Sequence, residues 1–419
     1  MDTGSLAWGI IATALVLVMT PGVAFFYGGL VKITSVVSML MLSFGSMGLI
    51  GGLWILYGYN MTHVDNPGQF AGNPLNDFGL SGLASAPHAN ENLIGVAFGA
   101  TFAIITVALI SGAIADRARF GSWMIFAGIW ATVVYFPVTA WIWGGGWIQN
   151  LGTALFGKES GIEVIDYAGG TDVHINAGAA ALALALILGK RVGFKPGIMK
   201  PHNVPLTLIG ASLLWFGWFG FNAGAEWLNG LKNVGLITIN TLGATAAAII
   251  GWLIIEKIRH GKPTSVGAAS GAVAGLVAIT PACANLTPGW ALILGLITGA
   301  VCAVAIELKF LIGVDDSLDV VGIHLVGGLI GTLYLGFFAT GTGLFVGGDF
   351  RQLVVQTIAV FAVLIYSFVM AFVIGWIIQK TIGFRVTNED EIAGVDNVVH
   401  GEDGYALNPV TTATSAHSL

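Results

Sequence analysis

The sequence predicts an all-α membrane protein with eleven transmembrane helices, and three observations support this fold class. Asp, Glu, Lys and Arg make up only 9% of the 419 residues, whereas soluble domains carry about 25%. Hydrophobic residues reach 56%, and the mean hydropathy is +0.85. Apolar runs of about 20 residues, each long enough to cross the core of a bilayer, recur along the whole chain.

A single membrane domain accounts for most of the chain. No polar linker interrupts the apolar pattern before the tail, so we assign residues 1–380 to the membrane domain and 381–419 to a cytoplasmic C-terminal tail. The net charge of −6 indicates no basic surface for nucleic acid. We place the spans at residues 6–31, 36–60, 93–115, 121–143, 166–189, 204–225, 234–256, 265–283, 289–311, 320–341 and 352–379.

Basic residues lie almost entirely on one side of this predicted topology. With alternate loops assigned to opposite sides, thirteen Lys and Arg residues fall in one set, and only Lys158, Lys232 and Arg351 fall in the other. Cytoplasmic loops carry the excess of basic residues in multi-pass membrane proteins. We therefore expect a plasma-membrane protein with its N-terminus outside the cell and its C-terminus in the cytoplasm.

An internal repeat relates the fifth and tenth spans. Asp166 and His174 are separated by seven residues, and so are Asp316 and His324. A repeat unit of five helices, an odd number, makes the two halves cross the membrane in opposite senses, as in many transporters. The sequence thus predicts two inverted five-helix repeats, at about 1–190 and 200–345, followed by a final helix at 352–379.

The repeat places two histidines at similar depth. Eight helical residues span about 12 Å, so each histidine lies near the middle of a hydrocarbon core about 30 Å thick if its helix starts at the aspartate. A single buried histidine is usually structural, but two related by a repeat favour a functional pair. His174 and His324 are therefore candidate conduction residues, with neutral rings that offer one donor and one acceptor each.

The acidic residues near these histidines have a structural and a functional interpretation. Asp166 and Asp316 begin their helices, where a carboxylate accepts hydrogen bonds from free backbone N–H groups. Asp166 and Asp316 can do both jobs, as structural caps and as residues of the pathway near its vestibule. Asp172, two residues before His174, is placed to weaken or reposition the histidine site.

Aromatic residues supply the remaining candidates. Most Trp and Phe side chains in such a protein face lipid or pack between helices. Trp143 ends the fourth span beside three glycines on the predicted outer side, where its π face can attract a cation. Phe102 and Phe221 are candidate apolar gates, although their spacing alone does not show it.

Several motifs together resemble one family. The chain is similar to the ammonium transporter (Amt/Mep/Rh) family, Amt-type, over nearly its whole length, and the motifs follow the family's order. The segments that carry the resemblance are Pro21–Leu30, Trp143–Gly146, Asp166–Thr171, His174–Asn176, Gly217–Gly224 and Gly322–His324.

The resemblance implies a homotrimer in which each protomer has its own narrow, hydrophobic pore. By motif position it assigns ammonium recruitment to Trp143, Phe102, Phe98 and the position of Ala225, and the gate to Phe102 and Phe221. Many relatives with this motif carry a serine where this chain has Ala225, so either the outer site is weaker or Glu226 compensates. Asp166 corresponds to the family's acidic vestibule residue, and His174 and His324 to its twin histidines.

The tail segment Gly394–Tyr405 also resembles the tails of the family. As a polar segment it cannot fold alone but can dock on the inner loops. The resemblance implies a PII-type nitrogen regulatory protein as a partner at the cytoplasmic face.

We therefore expect ammonium to be recruited outside, to lose its proton, and to cross as ammonia along His174 and His324. An ammonium sensor with secondary transport is the alternative, and a coupled carrier of larger solutes also fits the pattern of spans. The sequence contains no metal-ligand cluster, phosphate-binding loop or nucleophile elbow, so we expect neither a cofactor nor enzyme activity.

Overall fold

The computed structural model describes residues 2–197 and 200–405, and its regular elements in these ranges are helices. Eleven apolar helical segments, numbered α1 to α11 in chain order, form one bundle. Their bounds are Thr3–Leu30, Ile33–Met61, Ala89–Ile114, Phe120–Ile142, Gly170–Leu188, Val204–Asn229, Val234–His260, Ser265–Ile279, Pro288–Ile312, Val321–Phe338 and Phe350–Thr381.

The helix count agrees with the sequence prediction. Ten of the eleven segments are long and apolar enough to cross a membrane by length and composition. The exception is α8, whose 15 residues span only about 22 Å at the usual helical rise. Nearly all of α8 is buried, because α6, α7, α9 and α10 pack around it. The fold is thus an all-helical, multi-pass membrane bundle.

The two halves of the bundle repeat one packing pattern. In the first half, α2 packs against α3 and α4, and in the second half α7 packs against α8 and α9. The halves meet where α1 crosses α6 and where α5 crosses α10. This is the arrangement that a five-helix repeat predicts, with α11 added against α5.

Glycines allow the closest helix crossings. A Cβ on Gly210 of α6 would lie 2.1 Å from the backbone nitrogen of Phe26, and one on Gly299 of α9 would lie 2.0 Å from the carbonyl oxygen of Ala248. Neither site can hold a larger residue unless the backbones separate. Gly48 and Gly52, in contrast, have no described neighbour within 4 Å of that position.

Both repeated helices, α5 and α10, begin with a π-helical turn. The turn at Gly170–Ile175 contains His174, the turn at Val321–Leu325 contains His324, and each continues into a regular helix of 13 residues. Before α5, Gly169 adopts a φ of 107°, which glycine permits without strain. Residues 166–169 are therefore not helical, and the estimate of about 12 Å along a continuous helix does not describe the path to His174.

The described part of the tail, residues 382–405, docks on the helix ends near the basic loops. A short helix, α12 (Asn388–Ala393), places Glu391 against Arg385 at 2.8 Å. Farther along, the carboxylate of Asp396 accepts hydrogen bonds from the backbone N–H of Val37 at 3.0 Å and of Ser38 at 2.7 Å. The expected docking is therefore present up to Tyr405, and tail residues 406–419 lie outside the described residues.

A buried ion network joins the loops at the same end of the bundle. Arg191, whose side chain is 2% exposed, forms salt bridges with Asp116 at 2.9 Å and with Asp315 at 2.8 Å. Nearby, Arg117 donates to the hydroxyl of Ser317 and to the carbonyl oxygen of Asp315. Burial lowers the pKa of Arg117 to about 10, so this side chain is still charged at neutral pH. The network ties the loop before α4 to the ends of α5 and α9.

We expect Arg191→Ala to lower the free energy of unfolding by about 3–5 kcal/mol, because it leaves two buried carboxylates without their cation. Unfolding of the purified protein in detergent, followed by heat or denaturant, measures the effect.

Arg259→Ala is the matched control. The Arg259–Glu307 pair is 43% and 30% exposed, and exposed ion pairs contribute at most about 1 kcal/mol. Equal losses for the two variants would contradict a structural role for the Arg191 network.

Candidate functional site

The two repeated histidines meet inside the bundle, as the repeat predicts. The Nδ1 atoms of His174 and His324 are 3.2 Å apart, and the ring centroids are 5.3 Å apart with an interplanar angle of 26°. Both side chains are buried, at 1% and 3% exposure. A hydrogen bond between two Nδ1 atoms needs one nitrogen with a hydrogen and one without, so at least one ring is neutral.

A glycine four residues after each histidine makes this meeting possible. A Cβ on Gly178 would lie 2.6 Å from the Cβ of Leu325, and a Cβ on Gly328 would lie 2.9 Å from the side chain of Ile175. Each glycine thus faces the residue that follows the other histidine. The repeated spacing of histidine and glycine has a physical cause, which is the close crossing of α5 and α10.

The histidines line a small enclosed cavity. The centre of a water-sized sphere can occupy about 10 Å³ in this cavity. This is the space that one water molecule needs. Trp218 stacks on His174 with ring centroids 5.4 Å apart and donates its Nε1 hydrogen to the hydroxyl of Thr280 at 2.8 Å. The other lining residues are Met19, Val23, Phe26, Tyr27, Ile105, Leu109, Val173, Leu214, Phe221 and Val273.

One nitrogen of the pair is buried without a partner. The Nε2 atom of His174 has no hydrogen-bond partner among the described residues. A buried polar atom without a partner is costly unless a ligand or water satisfies it. Since His174 lines the cavity, this nitrogen marks a place where a small hydrogen-bonding molecule fits.

Two stacked phenylalanines close the cavity on one side. The rings of Phe102 and Phe221 are 4.2 Å apart with an interplanar angle of 13°. Phe221 lines the cavity and also a wider vestibule beyond it, whereas Phe102 lines only the vestibule. Both side chains are buried. The predicted gate residues therefore form one aromatic partition between the two spaces.

The vestibule has a volume of about 480 Å³ and opens at the end of the bundle that has few basic loop residues. All four residues assigned to recruitment, Phe98, Phe102, Trp143 and Ala225, line it. Phe102 packs edge to face against Phe98 at 4.9 Å and against Trp143 at 6.2 Å. Aromatic faces directed at a shared space attract cations, and Ala225 contributes only a methyl group.

The two aspartates that precede the histidines act on the backbone. Asp166 accepts hydrogen bonds from the N–H groups of Gly169, Thr171 and Asp172 at 3.0, 3.0 and 2.9 Å. Asp316 accepts from those of Val320 and Val321 at 3.1 and 2.7 Å. Neither aspartate is among the residues that line the vestibule or the cavity. Their contacts are those of capping carboxylates that fix where α5 and α10 begin.

Asp166 also positions the recruitment site indirectly. Its carbonyl oxygen accepts the Nε1 hydrogen of Trp143 at 2.8 Å, which fixes the indole at the vestibule wall. Asp172 does not contact the histidine pair in the described contacts, because its buried carboxylate accepts the hydroxyl of Thr139 at 3.1 Å. Thr139 lines the vestibule and Asp172 does not, so the carboxylate of Asp172 lies behind the vestibule wall and contacts it through Thr139.

Sequence reasoning missed two aromatic residues of the site. Trp218 lies inside the segment Gly217–Gly224, but no periodicity distinguished the indole that stacks on His174. Tyr167 follows Asp166 directly, yet only the structure shows that it lines the vestibule and donates its hydroxyl to Glu226.

A comparison with known families now identifies the chain. The model of the Ammonium Transporter Family matches residues 7–405. The chain belongs to this family.

Relatives and solved structures agree with this result. The ammonium transporter of Mycobacterium tuberculosis is 48% identical, with 96% of this chain and 90% of that protein covered, and that of Bacillus subtilis is 42% identical, with 97% and 99% covered. The crystal structure of Candida albicans Mep2 has a TM-score of 0.84 at 30% identity and covers 99% of this chain and 95% of that one. A structure named Sensor Amt Protein has the same TM-score at 29% identity and covers 95% and 98%.

Membership of the ammonium transporter family makes the chain a membrane transport protein and not an enzyme. The family match and the solved relatives confirm the resemblance and the fold class that the sequence predicts.

We expect Asp166→Ala to lower the free energy of unfolding by about 2 kcal/mol, because it leaves three buried backbone N–H groups without an acceptor. It should also loosen the start of α5 and so the position of His174. Thermal unfolding in detergent measures the loss.

Asp77→Ala is a suitable control. Asp77 caps a short helix in a solvent-exposed loop, where it accepts from the N–H groups of Gly82 and Leu83 at 2.8 Å each. Water can replace those bonds, so the loss should be clearly smaller. An effect as large as that of Asp166→Ala would show that burial of the cap does not matter.

Proposed function

We propose that the chain carries ammonium into the cell by recruiting the cation in the vestibule, removing its proton and passing ammonia along His174 and His324. One observation supports this proposal most directly. A cavity with room for about one water-sized molecule contains a hydrogen-bonded histidine pair and lies behind two stacked phenylalanines.

Recruitment depends on the aromatic wall of the vestibule. The indole of Trp143 and the rings of Phe98 and Phe102 face a common space of about 480 Å³. A cation over such faces gains roughly 0.5–2 kcal/mol, and more when it is desolvated. Ammonium fits because it is small enough to use several faces at once.

The partition of Phe102 and Phe221 explains why the proton leaves before the cavity. The stacked phenylalanine rings have no oxygen or nitrogen atom that could accept a hydrogen bond from ammonium on its way to the cavity. Moving an ion into such surroundings costs several kcal/mol even after relaxation, whereas neutral ammonia loses far less hydration. Ammonium therefore gives its proton to water in the open vestibule, and the rings turn aside to admit the ammonia that remains.

The histidine pair then forms hydrogen bonds with neutral ammonia. Ammonia can donate a hydrogen to the unpartnered Nε2 of His174 and so replace part of its lost hydration. A proton can follow the same path by tautomer exchange, since the two Nδ1 atoms are within hydrogen-bond distance.

An ammonium sensor with secondary transport is the second candidate. It is favoured by the likeness to the solved structure named Sensor Amt Protein, with a TM-score of 0.84. The docked tail would provide the signalling surface, since Asp396 and Tyr405 join it to the ends of α2 and α6.

The assembly and orientation complete the proposal. We place the vestibule outside the cell and the docked tail in the cytoplasm, because the loops beside the tail carry most of the basic residues. The tail and these loops would form the contact surface for a PII-type protein, and the protomers would assemble as homotrimers, as the family resemblance implies.

We expect proteoliposomes with the wild-type protein to take up ammonium and methylammonium faster than empty liposomes. A pH-sensitive dye inside the vesicles follows the uptake while a potassium gradient sets the membrane potential. Faster uptake at an inside-negative potential means that net charge crosses, and independence of potential means that ammonia crosses alone. Uptake of neither solute would overturn the transport proposal and leave the sensor.

If net charge crosses with wild-type protein, we expect His174→Ala to abolish the ammonium-dependent current in reconstituted bilayers, because the substitution removes one half of the proton path. His260→Ala is the control, since its side chain is 54% exposed and pairs with Glu307 at 2.7 Å, away from the cavity. An unchanged current in His174→Ala protein would exclude a relay through the histidines.

A further inference from the structure

The vestibule wall contains a tyrosine whose hydroxyl hydrogen is held by a buried glutamate. We propose that the phenolic oxygen of Tyr167, kept as a pure acceptor by Glu226, is the oxygen ligand of the cation in the vestibule, where Ala225 offers none. This inference rests on the proposed transport of ammonium, and it names the specificity-determining residue of the recruitment site.

Each carboxylate oxygen of Glu226 accepts one hydrogen bond. Tyr167 lines the vestibule together with Ala225 and Trp227, and its hydroxyl donates to one carboxylate oxygen of Glu226. The other oxygen of Glu226 accepts the backbone N–H of Asn233 at 2.6 Å. Because Glu226 is 0% exposed, its carboxylate cannot reach the cation itself and acts through the tyrosine.

The chemistry of a phenol bound in this way suits ammonium. A hydroxyl has one hydrogen and two lone pairs. Once the hydrogen is donated to a carboxylate, the oxygen can only accept, and the bond to an anion makes it a better acceptor. Ammonium has four N–H donors and no acceptor, so it gains a hydrogen bond that the aromatic faces alone do not provide.

Tyr167 is better placed for this role than the other hydroxyl backed by a carboxylate. The Thr139 hydroxyl lies within 3.0 Å of the carbonyl oxygen of Tyr135 and within 3.1 and 3.3 Å of the two oxygens of Asp172. Three acceptors thus share one hydrogen, and the residue is only 8% exposed. Tyr167 is half-buried and adjoins the segment that contains Ala225.

The test measures the ammonium concentration that gives half-maximal uptake in proteoliposomes. Tyr167→Phe removes only the oxygen, and we expect the half-maximal concentration to rise about tenfold, with little change in the maximal rate. The matched control is Tyr334→Phe, the same change at a tyrosine that lines neither the vestibule nor the cavity and whose hydroxyl donates to the carbonyl oxygen of Trp290 at 3.2 Å, and it should leave the concentration within about twofold. Thr139→Val tests the competing hydroxyl, and a rise in the half-maximal concentration there with none in Tyr167→Phe protein would overturn the assignment to Tyr167.

A rescue variant separates a ligand role from a structural one. Tyr167→Phe combined with Ala225→Ser restores an oxygen to the vestibule but leaves Glu226 without its phenol. Recovery of the half-maximal concentration supports a direct contact with the cation, whereas no recovery together with reduced thermal stability assigns Tyr167 a structural role only.

Glu226→Gln keeps the test decisive if Tyr167→Phe protein does not fold. The amide has one carbonyl oxygen for two donors, so either the phenol hydrogen or the N–H of Asn233 loses its acceptor. We expect the half-maximal concentration to rise here too. Wild-type uptake with unchanged values in these variants would overturn the inference while leaving ammonium transport intact, and absence of wild-type uptake would instead overturn the proposed function.

Discussion

The structure depends on one constraint, which is that two imidazoles must pair with each other where little room for water remains. Polar groups inside a membrane protein need partners within the protein. The Nδ1 atoms of His174 and His324 satisfy each other, and this requires α5 and α10 to cross at the depth of both rings. Gly178 and Gly328 permit that crossing, because any side chain at either position would collide with the opposite helix. The aspartate, histidine and glycine of each repeat thus act together at one helix crossing. The carboxylate sets the start of the helix, the glycine allows α5 and α10 to approach each other, and the imidazole occupies the crossing point.

The vestibule and the cavity differ in the charge that their walls tolerate. The vestibule wall includes two hydroxyls, those of Tyr167 and Thr139, that are backed by the buried carboxylates of Glu226 and Asp172. Among the described residues that line the cavity there is no acidic side chain, and its polar atoms belong to the histidines, Tyr27 and Trp218. The hydroxyl of Tyr27 is bound to the carbonyl oxygen of Leu109, and the indole of Trp218 is bound to Thr280. Among the described lining residues, hydroxyls backed by a carboxylate therefore lie only on the vestibule side of the stacked phenylalanines.

The sequence was sufficient for features that follow from strong, repeated signals. Apolar runs predict the spans, and the matching positions of His174 and His324 predict that the rings meet. Features that depend on local backbone geometry were not accessible in this way. The π turns at the starts of α5 and α10 leave no pattern of apolar residues, so the path from Asp166 was taken as a continuous helix. The Tyr167–Glu226 contact joins residues 59 positions apart in sequence, and neither residue carries a signal that names the other. Asp172 was expected to disturb the histidines because it is close in sequence, but the π turn directs its carboxylate to Thr139.

The tail contacts connect the far end of the bundle to the same helices that form the site. Asp396 caps the start of α2, and Tyr405 lies 3.1 Å from the ring of His202 and 3.2 Å from Asn203, just before α6. Glu391 accepts the backbone N–H of Val192, which follows α5 and adjoins the buried Arg191. Since α6 carries Trp218 and Phe221 and α5 carries His174, the tail contacts residues next to the ends of helices that contribute to the cavity. A partner that lifts the tail would have to break several hydrogen bonds, among them two from backbone groups to the buried carboxylate of Asp396. The docked tail therefore holds α2, α5 and α6 in one arrangement until the binding energy of a partner replaces those contacts.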